Sequence, residues 1–168
     1  MLIRPEQPAD VAAIRQVVEA AFGRAAEADL VDTLRAHGKA VLSLLAEADG
    51  QIVGHILFSE VTLETNPRAV RVIGLAPLAV LPAWQKRGVG ALLTQTGLAQ
   101  CRDAGYDAAI VLGHPGYYPR FGFAPASRFG LHSEYNVRDE VFMAMELRAG
   151  ALAGCAGLVK YQPEFNEE

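Results

Sequence analysis

The chain has 168 residues, of which 51% are apolar and 20% charged, and its formal net charge is −4. One domain of this length buries about two-thirds of its unfolded surface and needs no metal or disulfide to stay folded. The mild acidity excludes the basic excess of a nucleic-acid binder, and the ordinary composition excludes a disordered or fibrous chain.

Cys101 and Cys155 form no C-x-x-C pair and stand at no metal-ligand spacing. They read as reduced thiols of a cytoplasmic protein, with no metal site. The N-terminal MLIRPEQPAD lacks the apolar core of a signal peptide. The apolar stretches Val72 to Trp84 and Ala149 to Val159 contain Gly or Pro and fall short of the ~18 residues of a membrane span. No membrane partner is expected.

In chain order, Met1 to Arg4 reads as a short strand. Pro8-Ala-Asp10 suits the first turn of a helix, and Val11, Ile14, Val17, Val18 and Ala21 recur at helical spacing up to Gly23. Glu27 to His37 is a second helix closed by Gly38. Val41 to Ala48 and Gln51 to Leu63 read as strands joined by Asp49-Gly50, a strong hairpin signal. Asn66-Pro67-Arg68 is a turn, and Val70 to Leu81 makes a third antiparallel strand. Gly88 to Gly105 reads as a helix, Asp107 to Leu112 as a buried strand, and Pro115 to Phe121 as a compact loop or helical turn. Glu140 to Leu147 alternates like a strand. Ala149 to Gly157 is small and flexible, and Leu158 to Phe165 is a candidate last edge strand. The fold class is mixed α/β, with one central sheet of seven strands flanked by helices. Residues 1–148 form the domain body, and 149–168 are a tail of the same domain.

The most informative segment is Leu78-Ala-Val-Leu-Pro-Ala-Trp-Gln-Lys-Arg-Gly-Val-Gly90. A strand ends at Pro82, and a helix departs from the glycines. The first amides of a helix have no internal partners and, with the helix dipole, form a site for a pyrophosphate. Lys86 and Arg87 add positive charge there. Neither nucleotide motif fits: no G-x-x-x-x-G-K-[ST] is present, and Leu93 stands where G-x-G-x-x-G needs its third Gly. By itself, the glycine pair is equally compatible with close helix packing.

Gln85-x-x-Gly88-x-Gly90 after Leu78 to Pro82 resembles the acetyl-coenzyme A pyrophosphate loop of the GNAT (GCN5-related) N-acetyltransferase superfamily. Tyr118-Pro-Arg-Phe-Gly122-Phe123 resembles its Tyr-x-x-x-Gly-Phe element, and the run Gly113 to Phe123 resembles the small bacterial YhbS-like branch. The resemblance implies a largely antiparallel GNAT sheet. It implies that Leu78, Ala79 and Val80 hold pantetheine through their backbone, and that Gln85, Lys86, Arg87, Gly88, Val89 and Gly90 hold the pyrophosphate. It implies a V-shaped cleft where the third long strand parts from the Asp107 strand. Acetyl-coenzyme A is then the donor and coenzyme A the product.

Under that resemblance the activity is acetyl transfer to a primary amine by direct attack in a ternary complex. A backbone amide near Val80 stabilises the oxyanion. Tyr118 occupies the family position of the general acid that protonates the thiolate, a task suited to a phenol. Candidate bases are Glu60 and His114, the latter alternatively a substrate contact; His55 is a third candidate. Glu60 and His55 lie at odd spacing and face opposite sides of their strand. Arg120 is either a phosphate contact or a cap, and Trp84 is expected to pack under the helix. The sequence departs from the family in carrying Val111-Leu-Gly-His114 where Asn-x-x-Ala is common, and in having no carboxylate between Arg71 and Leu81. A non-catalytic coenzyme A sensor, another acyl donor and a hydroxyl acceptor remain alternatives. The acceptor is a small-molecule or peptide amine, and Gly157 to Phe165 is open to either covering the cleft or forming a homodimer.

Overall fold

A computed structural model describes residues 1–64 and 69–167. The expected turn at Asn66-Pro67-Arg68 lies outside the described residues. The strands are β1 (Leu2–Pro5), β2 (Leu42–Ala48), β3 (Gln51–Glu64), β4 (Val72–Val80), β5 (Ala108–Leu112), β6 (Ala124–Pro125), β7 (Leu131–Ser133), β8 (Phe142–Glu146) and β9 (Gly157–Lys160). The helices are α1 (Val11–Phe22), α2 (Ala26–Ala36) and α3 (Val89–Asp103). The hydrogen-bonded order is β1-β2-β3-β4-β5-β8-β6, with β9 paired to β3 and β7. The pairings β1–β2, β2–β3, β3–β9, β5–β8 and β6–β8 are antiparallel, and β4–β5 and β7–β9 are parallel.

The residues group into two compact units, through both of which β3, β4 and α3 run. The first comprises 1–59, 76–97 and 163–168. Its hairpin turn sits on Asp49 and Gly50 at φ 52° and 74°, the left-handed pair that a two-residue I′ turn requires. Helix α1 ends at Gly23 in the left-handed conformation, whose amide returns to the Glu19 carbonyl. Ile14, Val17 and Val18 of α1 and Leu30, Val31 and Leu34 of α2 close over Leu45, Leu57 and Ala79. Each such buried side chain contributes ~1.5–3 kcal/mol of transfer free energy. Helix α3 approaches β3 closely because residue 54 is glycine. A Cβ there would lie 2.9 Å from Val89 and 3.0 Å from Leu93. Gly97 likewise leaves room for the Phe58 ring. At the C-terminal end, the buried Glu164 accepts from Lys39 Nζ at 2.8 Å and lies 2.6 Å from His37 Nδ1, tying the Pro163–Glu167 turn to the end of α2.

The second unit comprises 60–75 and 98–162. Parallel pairing of β4 with β5 runs from Val72↔Ala108 to Leu75↔Val111. Strand β5 pairs with β8 over five residues, and β8 with the two-residue β6. The count of seven strands is therefore exceeded. β6 and β7, two and three residues long, are too short to show a period of two in the sequence. The C-terminal strand is also not an edge: β9 lies between β3 and β7. Gly157 enables this, since a Cβ there would collide with the Glu64 carbonyl. The preceding Ala149 to Gly157 stretch buries Ala151, Leu152 and Cys155, contrary to the flexible segment expected from its small residues.

Candidate active site

Strand β4 ends in a single 3-10 turn, Pro82–Trp84, and the chain then enters the loop before α3. Gln85 braces this loop. Its side-chain Nε2 donates to the Val80 carbonyl at 3.1 Å, and its amide returns to Pro82 at 3.4 Å. The Gln85 amide is thus engaged within the loop rather than left for a pyrophosphate. Lys86 and Gly88 both adopt positive φ, 63° and 84°. The first α3 bond of the loop is from the Leu92 amide to the Gly88 carbonyl at 3.0 Å. Helix geometry therefore leaves the amides of Val89, Gly90 and Ala91 without a carbonyl four residues back inside the helix. A Cβ built on Gly88 meets nothing within 4 Å, so the main chain is open at this point. Lys86 is exposed, and Arg87 lies 5.1 Å over the half-buried Trp84 ring. Backbone donors, a helix dipole and two cations fit a diphosphate.

The β4 backbone sorts by its period of two. The Leu81 amide donates to Val53 of β3 at 2.9 Å. Alternation turns Ala79 the same way and leaves the Leu78 and Val80 amides facing the other edge of the strand. Leu78 and Val80 are therefore the residues whose amides face away from β3, and of their carbonyls that of Val80 is already taken by Gln85 Nε2.

Tyr118 is buried, 9% exposed, in a 3-10 turn Tyr118–Phe121. Its ring packs edge-on against Tyr117 and Phe123, with centroids at 5.1 and 5.8 Å. Burial, with the neighbouring Tyr117, pushes its phenol up to about 12. It is therefore fully protonated at neutral pH, the state an acid requires. Gly113 is its seat, since a Cβ at that position would run into the Tyr118 ring. The Gly113 amide is anchored to the Val141 carbonyl at 2.9 Å. His114 is exposed, and its Nδ1 accepts from the Gly116 amide at 3.0 Å. Arg120 turns inward on its own loop. It donates to the carbonyls of Tyr117 at 2.8 Å and Gly116 at 3.4 Å and lies 4.5 Å over the Tyr117 ring. It caps its own loop.

Glu60 lies elsewhere in the same unit. It accepts from the Tyr106 hydroxyl at 2.7 Å, and Arg71 stands 3.8 Å from it and 4.3 Å over the Tyr106 ring. Tyr106 is just before the start of β5, whereas Gly113 follows its end. The contacts of the Glu60 carboxylate are to the Tyr106–Arg71 cluster, and none among the described residues is to Tyr118. His55 is fully buried, and its Nε2 lies 2.7 Å from the Ser43 hydroxyl. Burial pulls its imidazole below the ordinary value, with Glu6 opposing. His55 is therefore a neutral member of a buried network with Glu6, Ser43 and Arg35. Burial pushes the Cys101 thiol up to about 12, which leaves it a poor nucleophile. Among the described residues, no group of three or more His, Cys, Asp or Glu is arranged to hold a metal. Likewise, no described helix is long and apolar enough to cross a membrane.

The seat at Gly113 has no signal in the sequence. The sequence names Leu78, Ala79 and Val80 together, and the strand period separates Ala79 from the other two.

A family model described as an acetyltransferase (GNAT) domain matches residues 2–126. The chain belongs to the GNAT family. This GNAT acetyltransferase is 36% identical to the uncharacterized N-acetyltransferase YhbS of Escherichia coli, over 99% of each chain. It is 43% identical to the uncharacterized N-acetyltransferase YjhQ of the same organism, over 78% of this chain and 74% of YjhQ. The crystal structure of E. coli YhbS with coenzyme A superposes with a TM-score of 0.93, covering 98% of this chain and 91% of that one. A Brucella melitensis GNAT acetyltransferase in complex with acetyl-coenzyme A gives 0.80 at 39% identity, covering 98% and 97%. The expected donor, acetyl-coenzyme A, and its product are thus what these two relatives hold.

Proposed function

We propose that this N-acetyltransferase moves an acetyl group from acetyl-coenzyme A to a primary amine by direct attack in a ternary complex. The observation that carries the reading is the open main chain at Gly88, where α3 begins with outward amides directly after β4. Acetyl-coenzyme A supplies the acetyl group as a thioester.

Val89, Gly90 and Ala91 hold the diphosphate through their amides, and Lys86 and Arg87 neutralise its charge. The Leu78 backbone pairs with the pantetheine arm. The Val80 amide donates to the carbonyl oxygen as negative charge develops there. The amine nitrogen forms a bond to the carbonyl carbon and the carbon–sulfur bond breaks. The Tyr118 phenol gives its proton to the departing sulfur and is re-protonated from water. The surplus proton on the nitrogen leaves to water, with no need of Glu60. Direct attack fits the thiol chemistry, since the buried Cys101 is held protonated.

The test is incubation with acetyl-coenzyme A and a panel of amines: a lysine peptide, a free peptide N-terminus, a polyamine, an amino sugar and an amino acid. The expected result is acetylation of one class, with one thiol released per product. Thiol release with accumulation of an acetylated protein, or no product from any amine, contradicts the reading.

A further inference from the structure

Three amides and three carbonyls in the segment 114–120 find partners inside the segment itself. The His114 carbonyl accepts from the Tyr117 amide at 3.1 Å and the Tyr118 amide at 3.4 Å. The His114 Nδ1 accepts from the Gly116 amide at 3.0 Å. Arg120 donates to the Gly116 and Tyr117 carbonyls. One residue thus supplies the acceptors and one the donors for the turn that carries Tyr118. This turn must be specified closely, because it delivers a buried phenol onto Gly113, where no side chain fits.

The Nδ1 contact also fixes the chemistry of the ring. An imidazole nitrogen that accepts a hydrogen bond carries no proton, so the neutral ring bears its proton on Nε2. The basic lone pair is then the one already used by Gly116, and the outward nitrogen is a donor. A ring so arranged has no free lone pair with which to take a proton from an amine.

We infer that His114 is a positioning residue for Tyr118: its Nδ1 and carbonyl cap the Gly116–Tyr118 amides and fix the phenol over Gly113. The inference rests on the reading of Tyr118 as the proton donor. The contact is a side chain of residue i accepting from the amide of i+2, the geometry that Asn and Asp adopt in an Asx turn. Asparagine can therefore replace this function of His114, whereas it cannot replace a base or an outward Nε2–H donor.

The experiment compares His114→Ala, His114→Asn and Tyr118→Phe in the full chain. One readout is hydrogen exchange of the Gly116, Tyr117 and Tyr118 amides by NMR. The other is thiol release from acetyl-coenzyme A with the amine that the panel identifies. His114→Ala should speed exchange at Gly116 by about 10-fold and lower kcat by a similar factor, as expected for a lost local hydrogen bond, with KM for acetyl-coenzyme A unchanged. His114→Asn should restore both to within about 3-fold of wild type. An Asn variant no better than Ala in kcat, or an Ala variant with wild-type exchange at Gly116, overturns the inference. If Tyr118→Phe keeps the wild-type kcat, the acid reading fails instead, while the exchange data still judge the role of His114 in the turn.

Discussion

Two glycine-bearing turns follow two neighbouring strands, and they use their backbone in opposite ways. The loop after β4 turns the amides at the start of α3 outward, and its side chains contribute mainly charge. The turn after β5 consumes its amides internally, through His114, and its carbonyls through Arg120. The first arrangement suits binding, because main-chain donors need only a correct conformation and open space. The second holds a single side chain, Tyr118, in one orientation, as its proposed role of proton donor requires. A change in the loop should therefore act on donor affinity, and a change in the turn on turnover.

The largest effect that would sharpen this division is at the phenol. Tyr118→Phe should lower kcat by roughly 100-fold, the low end for loss of a general acid, with KM for acetyl-coenzyme A within about 2-fold. Steady-state kinetics with the identified amine measures both. A comparable rise in KM would break the division. Next comes the seat of the ring. Gly113→Ala adds a methyl group where Tyr118 lies and should destabilise the protein by ~1–3 kcal/mol through overpacking, read as a lower midpoint in urea. It should also lower kcat more than it raises KM.

A smaller effect is expected at Gly88. Alanine there meets no neighbouring atom but must adopt a positive φ. That costs ~1 kcal/mol, so KM for acetyl-coenzyme A should rise roughly 5-fold with kcat unchanged. The smallest effect is in pH dependence. The Tyr118 phenol is raised to about 12, so its protonated, competent form persists above the ordinary phenol range. kcat should hold level through pH 10 and not fall there. A decline centred near pH 10 in kcat measured against pH would contradict the burial of the phenol.

Much of this was legible in the sequence. Helices α1 and α2 follow from the spacing of Ile14, Val17 and Val18 and of Leu30, Val31 and Leu34, and from their closing glycines. The hairpin follows from Asp49-Gly50. The glycine loop and Tyr118 follow from motif order. What remained hidden depends on contacts between residues distant in sequence, or on unusual use of a side chain. Glu60 reads as a free strand carboxylate until Tyr106, 46 residues on, and Arg71, beyond the end of the strand, are seen to hold it. The inner position of β9 depends on Gly157 passing the Glu64 carbonyl, which no local pattern encodes. His114 reads as a base because histidine commonly is one. Its use as the acceptor in a turn usually made by Asn or Asp has no compositional signature.

The central claim is that acetyl-coenzyme A binds through the main chain at the start of α3. Calorimetric titration of acetyl-coenzyme A into the wild type and into a Gly88→Glu, Gly90→Glu variant tests it most directly, with circular dichroism to show that both are folded. Saturable binding to the wild type and a loss of at least about 100-fold in the variant is the predicted result, because two carboxylates repel the diphosphate at the site where its donors converge. Equal binding by both proteins, or none by the wild type up to about millimolar ligand, contradicts it.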